Sequence, residues 1–76
     1  MIFERLRKVV AEQVDIDVEE IKLESTFSED LGIDSLDIFE IVMELEEEFD
    51  MEIPTEDLED MTKIEDLVKY INEKQA

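Results

Sequence analysis

The side chains able to do chemistry in this 76-residue chain are almost all carboxylates. Twenty-five Asp and Glu stand against 7 Lys and Arg, with no His and no Cys. The missing Cys and His remove disulfides, thiolate zinc sites, cysteine nucleophiles and every His-dependent triad. Paired carboxylates can act as general acid and base, but so many acids make chance pairs plentiful and the spacing selects none. Asp15-Ile16-Asp17-Val18-Glu19 starts as a calcium loop does. The positions that such a loop needs as Gly and Glu are here Glu20 and Thr26, so the pattern fails and no metal site is expected. Gly32, the lone glycine, cannot build a phosphate cradle. A serine nucleophile needs a base, and no Lys, Arg or His lies between Leu23 and Thr62. The chain therefore reads as something other than an enzyme.

One hydroxyl stands out. Ser35 falls at the start of a predicted helix, just after Gly32 and beside large apolar residues. A serine in that place ordinarily caps the helix. Asp34 already offers a cap, which leaves Ser35 free to point outward near the positive end of the helix dipole, a favourable place for an attached phosphate.

The elements that must position Ser35 follow from periodicity. Ile2, Phe3, Leu6, Val9, Val10 and Val14 repeat at helical spacing, predicting a first helix from Ile2 to about Val14 that ends at Asp15-Ile16-Asp17. From Asp15 to Asp34 no period is sustained. Glu19-Glu20-Ile21 suits one helical turn, and Thr26-Phe27-Ser28-Glu29 fits a capping box whose turn closes at Gly32. So long a loop is commonly functional, and Ile16, Val18, Ile21, Leu23, Phe27 and Leu31 are its expected anchors. A second helix is predicted from about Ser35 to Asp50, with Asp34 as N-cap and Asp37 in the first turn. Thr55 would cap a short helix over Glu56–Met61. Thr62-Lys63-Ile64-Glu65 is a second capping box, opening a last helix to about Glu73 with Ile64, Leu67, Val68 and Ile71 on its apolar face. The expected fold is all-α: a small bundle of three main helices and one short helix, with the long loop between the first two. Residues 1–76 are expected to form one domain.

Charge sharpens the picture. The net charge is −18, but residues 1–22 hold six acids and four bases, and residues 63–76 hold three of each. The forty residues from Leu23 to Thr62 hold sixteen acids and no base. Such a block costs stability through self-repulsion, which favours a functional reason for it. It argues against nucleic acid and anionic membrane surfaces as partners, and for proteins with basic patches. Met1-Ile2-Phe3-Glu4-Arg5 lacks the apolar stretch of a signal peptide, and no apolar run approaches the ~20 residues of a membrane span. A cytoplasmic monomer without membrane insertion is expected.

The second helix carries two apolar faces. Advancing about 100° per residue from Leu36, the residues Ile41, Leu45, Ile38, Phe49 and Val42 fall between about 140° and 240°, an ordinary core stripe. Leu36, Met43 and Phe39 fall on the other side, interleaved with Glu40, Glu46, Glu47 and Asp50. A helix buried nearly all round would also be apolar on two sides. The carboxylates on the second side count against that, because unpaired charges are rarely buried. Apolar side chains ringed by acids suit docking to a basic, grooved partner.

At these residues the sequence resembles a known family. Asp30-Leu31-Gly32-Ile33-Asp34-Ser35-Leu36-Asp37, then Glu40-Ile41-Val42-Met43-Glu44-Leu45-Glu46-Glu47-Glu48-Phe49 and Glu52-Ile53-Pro54, is similar to the acyl carrier proteins. The likeness is to the discrete carriers of type II fatty acid synthesis, and it extends over essentially the whole chain. It implies that Ser35 is the attachment point of 4′-phosphopantetheine, transferred from coenzyme A by a separate phosphopantetheinyl transferase with Mg²⁺. The arm would then carry acyl chains as thioesters to fatty acid synthesis enzymes with basic docking patches. Asp34 and Leu36 would help present Ser35. Asp37, Glu40, Glu47 and Glu48 would meet the partners' Lys and Arg around the apolar contacts Leu36, Phe39 and Met43. The acyl chain would lie between helices near Ile38, Val42, Leu45, Ile53 and Ile71.

The chain departs from the family's common bacterial pattern at Ile33, Ile38, Phe39 and Glu44. Ile38 is expected to reshape the acyl pocket and Phe39 to enlarge the contact stripe. Two alternatives stand beside this reading. One is a carrier for another pathway (polyketide, D-alanyl or specialised lipid); the other is an acidic helical cation-binding or regulatory module with no prosthetic group.

Overall fold

Apolar spacing sets the helices that form in the computed structural model, which describes residues 2–75. Helix α1 spans Ile2–Val14, α2 Ser35–Phe49, α3 Thr55–Leu58 and α4 Ile64–Gln75, with a 3-10 turn at Val18–Glu20 in the long loop. The described residues contain no strand, only an isolated antiparallel bridge between Thr26 and Lys63. The all-α expectation therefore holds, three longer helices and one short one included. No described helix is long and apolar enough to cross a membrane.

α1 turns Leu6, Val10 and Ala11 inward, α2 turns Ile41, Val42, Leu45 and Phe49, and α4 turns Ile64, Leu67 and Ile71. These side chains meet in one cluster with Ile21, Phe27, Ile33 and Ile53. Each large aliphatic member removed from water contributes on the order of 1.5–3 kcal/mol before chain entropy is counted. α1 ends at Asp15, whose φ of 55° is left-handed. Ile16 N–H then closes the helix by donating to Ala11 O at 3.2 Å.

The loop is fixed only in part as expected. Ile21 and Phe27 are buried and Ile16 and Leu31 half-buried, but Val18 and Leu23 are exposed and anchor nothing. Main-chain bonds to the start of α4 supplement the four anchors that do pack against the core. Phe27 N–H donates to Thr62 O (3.0 Å), Ile64 N–H to Ser25 O (3.0 Å) and Glu65 N–H to Leu23 O (2.9 Å).

The first predicted capping box forms with a partner one residue later. The second forms by half, its acid also one residue later and with no bond to the Thr62 hydroxyl among the described residues. Thr26 N–H donates to Asp30 Oδ2 at 2.9 Å, and Asp30 N–H returns to Thr26 Oγ1 at 3.0 Å, so Asp30 replaces Glu29. Asp66 replaces Glu65, its Oδ2 accepting from the N–H groups of both Thr62 (2.9 Å) and Lys63 (3.0 Å). The reason at the second site is register. Lys63, rather than Thr62, supplies the carbonyl that takes Asp66 N–H, so the third helical position falls on Asp66.

α3 is also shorter than predicted and starts earlier. Pro54 (φ −62°, ψ 145°) flanks it in extended backbone and makes no side-chain cap, so Thr55 is already helical. Met61 N–H turns back to Leu58 O at 3.0 Å where the helix stops. At the far end of α2, Asp50 adopts the left-handed conformation (φ 51°) and Met51 N–H donates to Glu46 O. Gln75 Nε2, from α4, donates to Phe49 O at 2.6 Å. α4 runs two residues beyond its predicted end.

Candidate functional site

Gly32 takes a left-handed φ of 64°, a conformation that costs glycine least, and reverses the chain before α2. Ile33 follows, 2% exposed, with its N–H on Phe27 O at 2.7 Å. A buried side chain and a short main-chain bond therefore fix the backbone two residues ahead of Ser35. Asp34 (φ −91°, ψ −178°) is the N-cap, and its Oδ1 accepts from Asp37 N at 3.0 Å. Ser35 itself is exposed. Among the described residues its hydroxyl makes no side-chain hydrogen bond. The cap that serine would ordinarily supply comes from its neighbour, so an exposed oxygen stands unengaged at a helix N-terminus, the dipole end that favours an anion.

The two faces of α2 separate as the angular count predicts. Ile41, Val42, Leu45 and Phe49 are at most 4% exposed, whereas Leu36, Phe39 and Met43 are 74%, 45% and 64% exposed. The central helix is thus not buried all round. Ser35 and this stripe share one surface.

The acids expected around the stripe are not equivalent. Glu47 and Asp50 are exposed and, with Met43, Glu44 and Glu46, line a shallow groove of about 410 Å³. Glu40 is exposed but accepts from Gln13 Nε2 at 3.1 Å, which ties it to α1. Glu46 turns toward α3 and accepts from Ile53 N at 2.8 Å. Glu48 faces α1, where Arg5 Nε holds its carboxylate at 3.0 Å. Asp37 is half-buried in the first turn. Of the four acids singled out by resemblance, Glu47 is the one placed fully among the stripe residues.

The proposed acyl-pocket residues also divide. Val42, Leu45, Ile53 and Ile71 belong to the packed core, each at most 4% exposed. Ile38 is half-buried and lines a groove of about 230 Å³ with Ser35, Phe39, Thr55, Leu58 and Glu59. Sequence reasoning missed the last three because a four-residue helix carries no period. Phe39 belongs to both surfaces: it is part of the exposed stripe and part of this groove.

Comparison with known proteins agrees with this geometry. Residues 4–71 match the family described as the phosphopantetheine attachment site. The chain is 52% identical over 71 residues to the acyl carrier protein of Clostridium acetobutylicum, covering 93% of this chain and 92% of the relative. It is 54% identical over 74 residues to that of Campylobacter lari, covering 97% and 96%. A solved structure from Mycobacterium tuberculosis described as an acyl carrier protein superposes with a TM-score of 0.90 at 26% identity, over 97% of this chain and 99% of that one. Family membership over nearly the full length, with a carrier's fold and an uncommitted serine at the head of α2, makes the chain a carrier and not an enzyme; it belongs to the acyl carrier proteins, the family of the phosphopantetheine attachment site.

Proposed function

We propose that Ser35 accepts 4′-phosphopantetheine and that the whole chain, as one domain, carries acyl intermediates of fatty acid synthesis. The observation that carries this reading is the exposed Ser35 hydroxyl, relieved of capping by Asp34 and set beside an exposed apolar stripe. When bound, the arm supplies the thiol on which acyl chains are held. The phosphopantetheinyl transferase supplies the base that takes the Ser35 proton, since the chain has no His or Cys and no Lys or Arg between Leu23 and Thr62.

Asp34 and Leu36 present Ser35, one through the backbone and one as an apolar contact beside it. Synthesis enzymes with basic patches dock on Leu36, Phe39 and Met43, guided by Asp37, Glu40 and Glu47. Glu48 contributes to the field of that face from its pair with Arg5. Such docking is fast and reversible: a small apolar centre limits affinity while the acidic surround speeds encounter. The carrier works as a cytoplasmic monomer. Cargo enters by the Ile38 groove toward Val42, Leu45, Ile53 and Ile71.

The test is intact mass after incubation with coenzyme A and a phosphopantetheinyl transferase. The wild type should gain one arm and Ser35→Ala none. No gain, or equal labelling of Ser35→Ala, would overturn the assignment.

A further inference from the structure

The groove beneath Ser35 has two walls of unequal firmness. One is α2, fixed by its buried stripe. The other is α3, a single turn with no buried residue and no side-chain cap. So short a helix does not hold itself in water. Its backbone is tied only locally, by Asp57 N–H on Pro54 O and Met61 N–H on Leu58 O, both at 3.0 Å. Glu46 grips Ile53 N–H just before it, which secures the entry to the turn and not the turn itself. The side-chain hydrogen bond that reaches α3 itself comes from α4, which contributes no lining residue to the groove. Tyr70 Oη, on α4, donates to Asp57 Oδ2 at 2.6 Å. A bond that short to a carboxylate belongs to the stronger class. The carboxylate raises the Tyr70 phenol to about 12, which keeps it protonated as a donor at any working pH.

We propose that the Tyr70–Asp57 bond is a latch that holds α3 against α4 and so sets the width of the Ile38 groove. Asp57 neighbours Leu58, a lining residue, and lies two positions from Thr55, another. Any shift of Asp57 relative to α4 therefore moves that wall. Tyr70 acts as a positioning residue: it stands outside the groove and controls it through α3. With the latch closed the groove has one width; with it broken, α3 is left on its half-buried Leu58 and loosens. For cargo, this rests on the proposed acyl-carrying function. The consequence is that Tyr70 governs how well an acyl chain at Ile38 is shielded from water.

Two readouts on Tyr70→Phe, which keeps the ring and removes only the hydroxyl, test it. In the protein without its arm, the amides of Asp57 and Met61 should exchange hydrogen about fivefold faster or more than in the wild type, with α1 and α2 unchanged. Asp57→Asn, whose amide oxygen still accepts from the phenol, should restore most of the protection that Asp57→Ala loses. On protein loaded with a pantetheine arm bearing an alkyl-linked, polarity-sensitive fluorophore, Tyr70→Phe should shift emission toward the value in water. Unchanged exchange overturns the latch. Faster exchange with a probe equally shielded in wild type and variant overturns its control of the groove. A probe unshielded in the wild type, with exchange still faster in Tyr70→Phe, instead overturns the interior route for cargo and leaves the latch standing as a property of α3.

Discussion

Arg5 on α1 holds Glu48 on α2 twice: Nε donates to the carboxylate at 3.0 Å and a terminal guanidinium nitrogen donates to the main-chain carbonyl at 2.8 Å. The same guanidinium lies 4.4 Å from the centre of the Phe49 ring. α2 has no base in its last turn, so this imported cation faces the negative end of its dipole.

Arg5→Met should accordingly lower the melting temperature. Both partners are near half exposed, which limits the ion pair itself to about 0–1 kcal/mol. The carbonyl bond and the ring contact add to it, for a total of roughly 1–2 kcal/mol. Arg5→Lys should recover only part of the loss, because one ammonium cannot span both oxygens and the ring. A melting temperature identical to wild type in Arg5→Met would refute the clamp.

Glu47→Lys should slow turnover by a partner enzyme, and more so at low salt. The Debye length shrinks from about 30 Å at 0.01 M to about 10 Å at 0.1 M ionic strength, so steering fades across that range. Glu48→Gln should slow it less, since that carboxylate already faces Arg5. The check is kcat/KM at both ionic strengths. An equal fractional loss at each would mean that Glu47 makes a contact and does not steer.

Added salt or millimolar Mg²⁺ should raise the melting temperature of the wild type. The source is repulsion among the sixteen acids between Leu23 and Thr62, which no base in that block relieves. Thermal melts across a salt series decide the matter, and a flat series would show that the block is not under strain.

Asp66 carries a pH-dependent share of stability. The N–H groups of Thr62 and Lys63 that it accepts hold its carboxyl below the ordinary value of 3.8, Thr62 making the larger contribution and partial burial opposing it. A folded value below the unfolded one means that the anion favours the fold. That contribution is complete above the unfolded value and drains away as pH falls below it through the folded value. Asp66→Asn, whose amide oxygen can still accept both N–H groups, removes the charge alone and should cost about 0.3–1 kcal/mol near neutrality. The gap in melting temperature between variant and wild type should then narrow below about pH 4. A gap independent of pH would remove the charge from the explanation.

The parts of this molecule legible in the sequence are those with a period. The two faces of α2 could be assigned residue by residue because fifteen residues make four turns, enough for Leu36, Phe39 and Met43 to separate from Ile41, Val42 and Leu45. Ser35 was legible through its neighbour, since Asp34 at the cap position frees the serine. The irregular segments were not legible in the same way. Ile16, Ile21, Phe27 and Leu31 pack as their composition suggests, but Val18 and Leu23 do not, and the rest of the hold comes from main-chain bonds to α4, which no side-chain pattern records. Asp30 and Asp66 displaced Glu29 and Glu65 because a one-residue change in register alters which carboxylate meets an N–H. Glu48 lies about 120° from Leu36, on the side away from Met43, which is where the exposed Arg5 of α1 meets it.

α2 is gripped at its far end from both flanks, with Arg5 on the Glu48 carbonyl and Gln75 on the Phe49 carbonyl. Asp34 closes the near end. A rod fastened this way has little freedom left to surrender when another protein seats on it, so the entropic toll of complex formation falls on the visitor. Enzymes of different shape would therefore meet the same unyielding template. Adjustment among them belongs to their own side chains and not to the carrier.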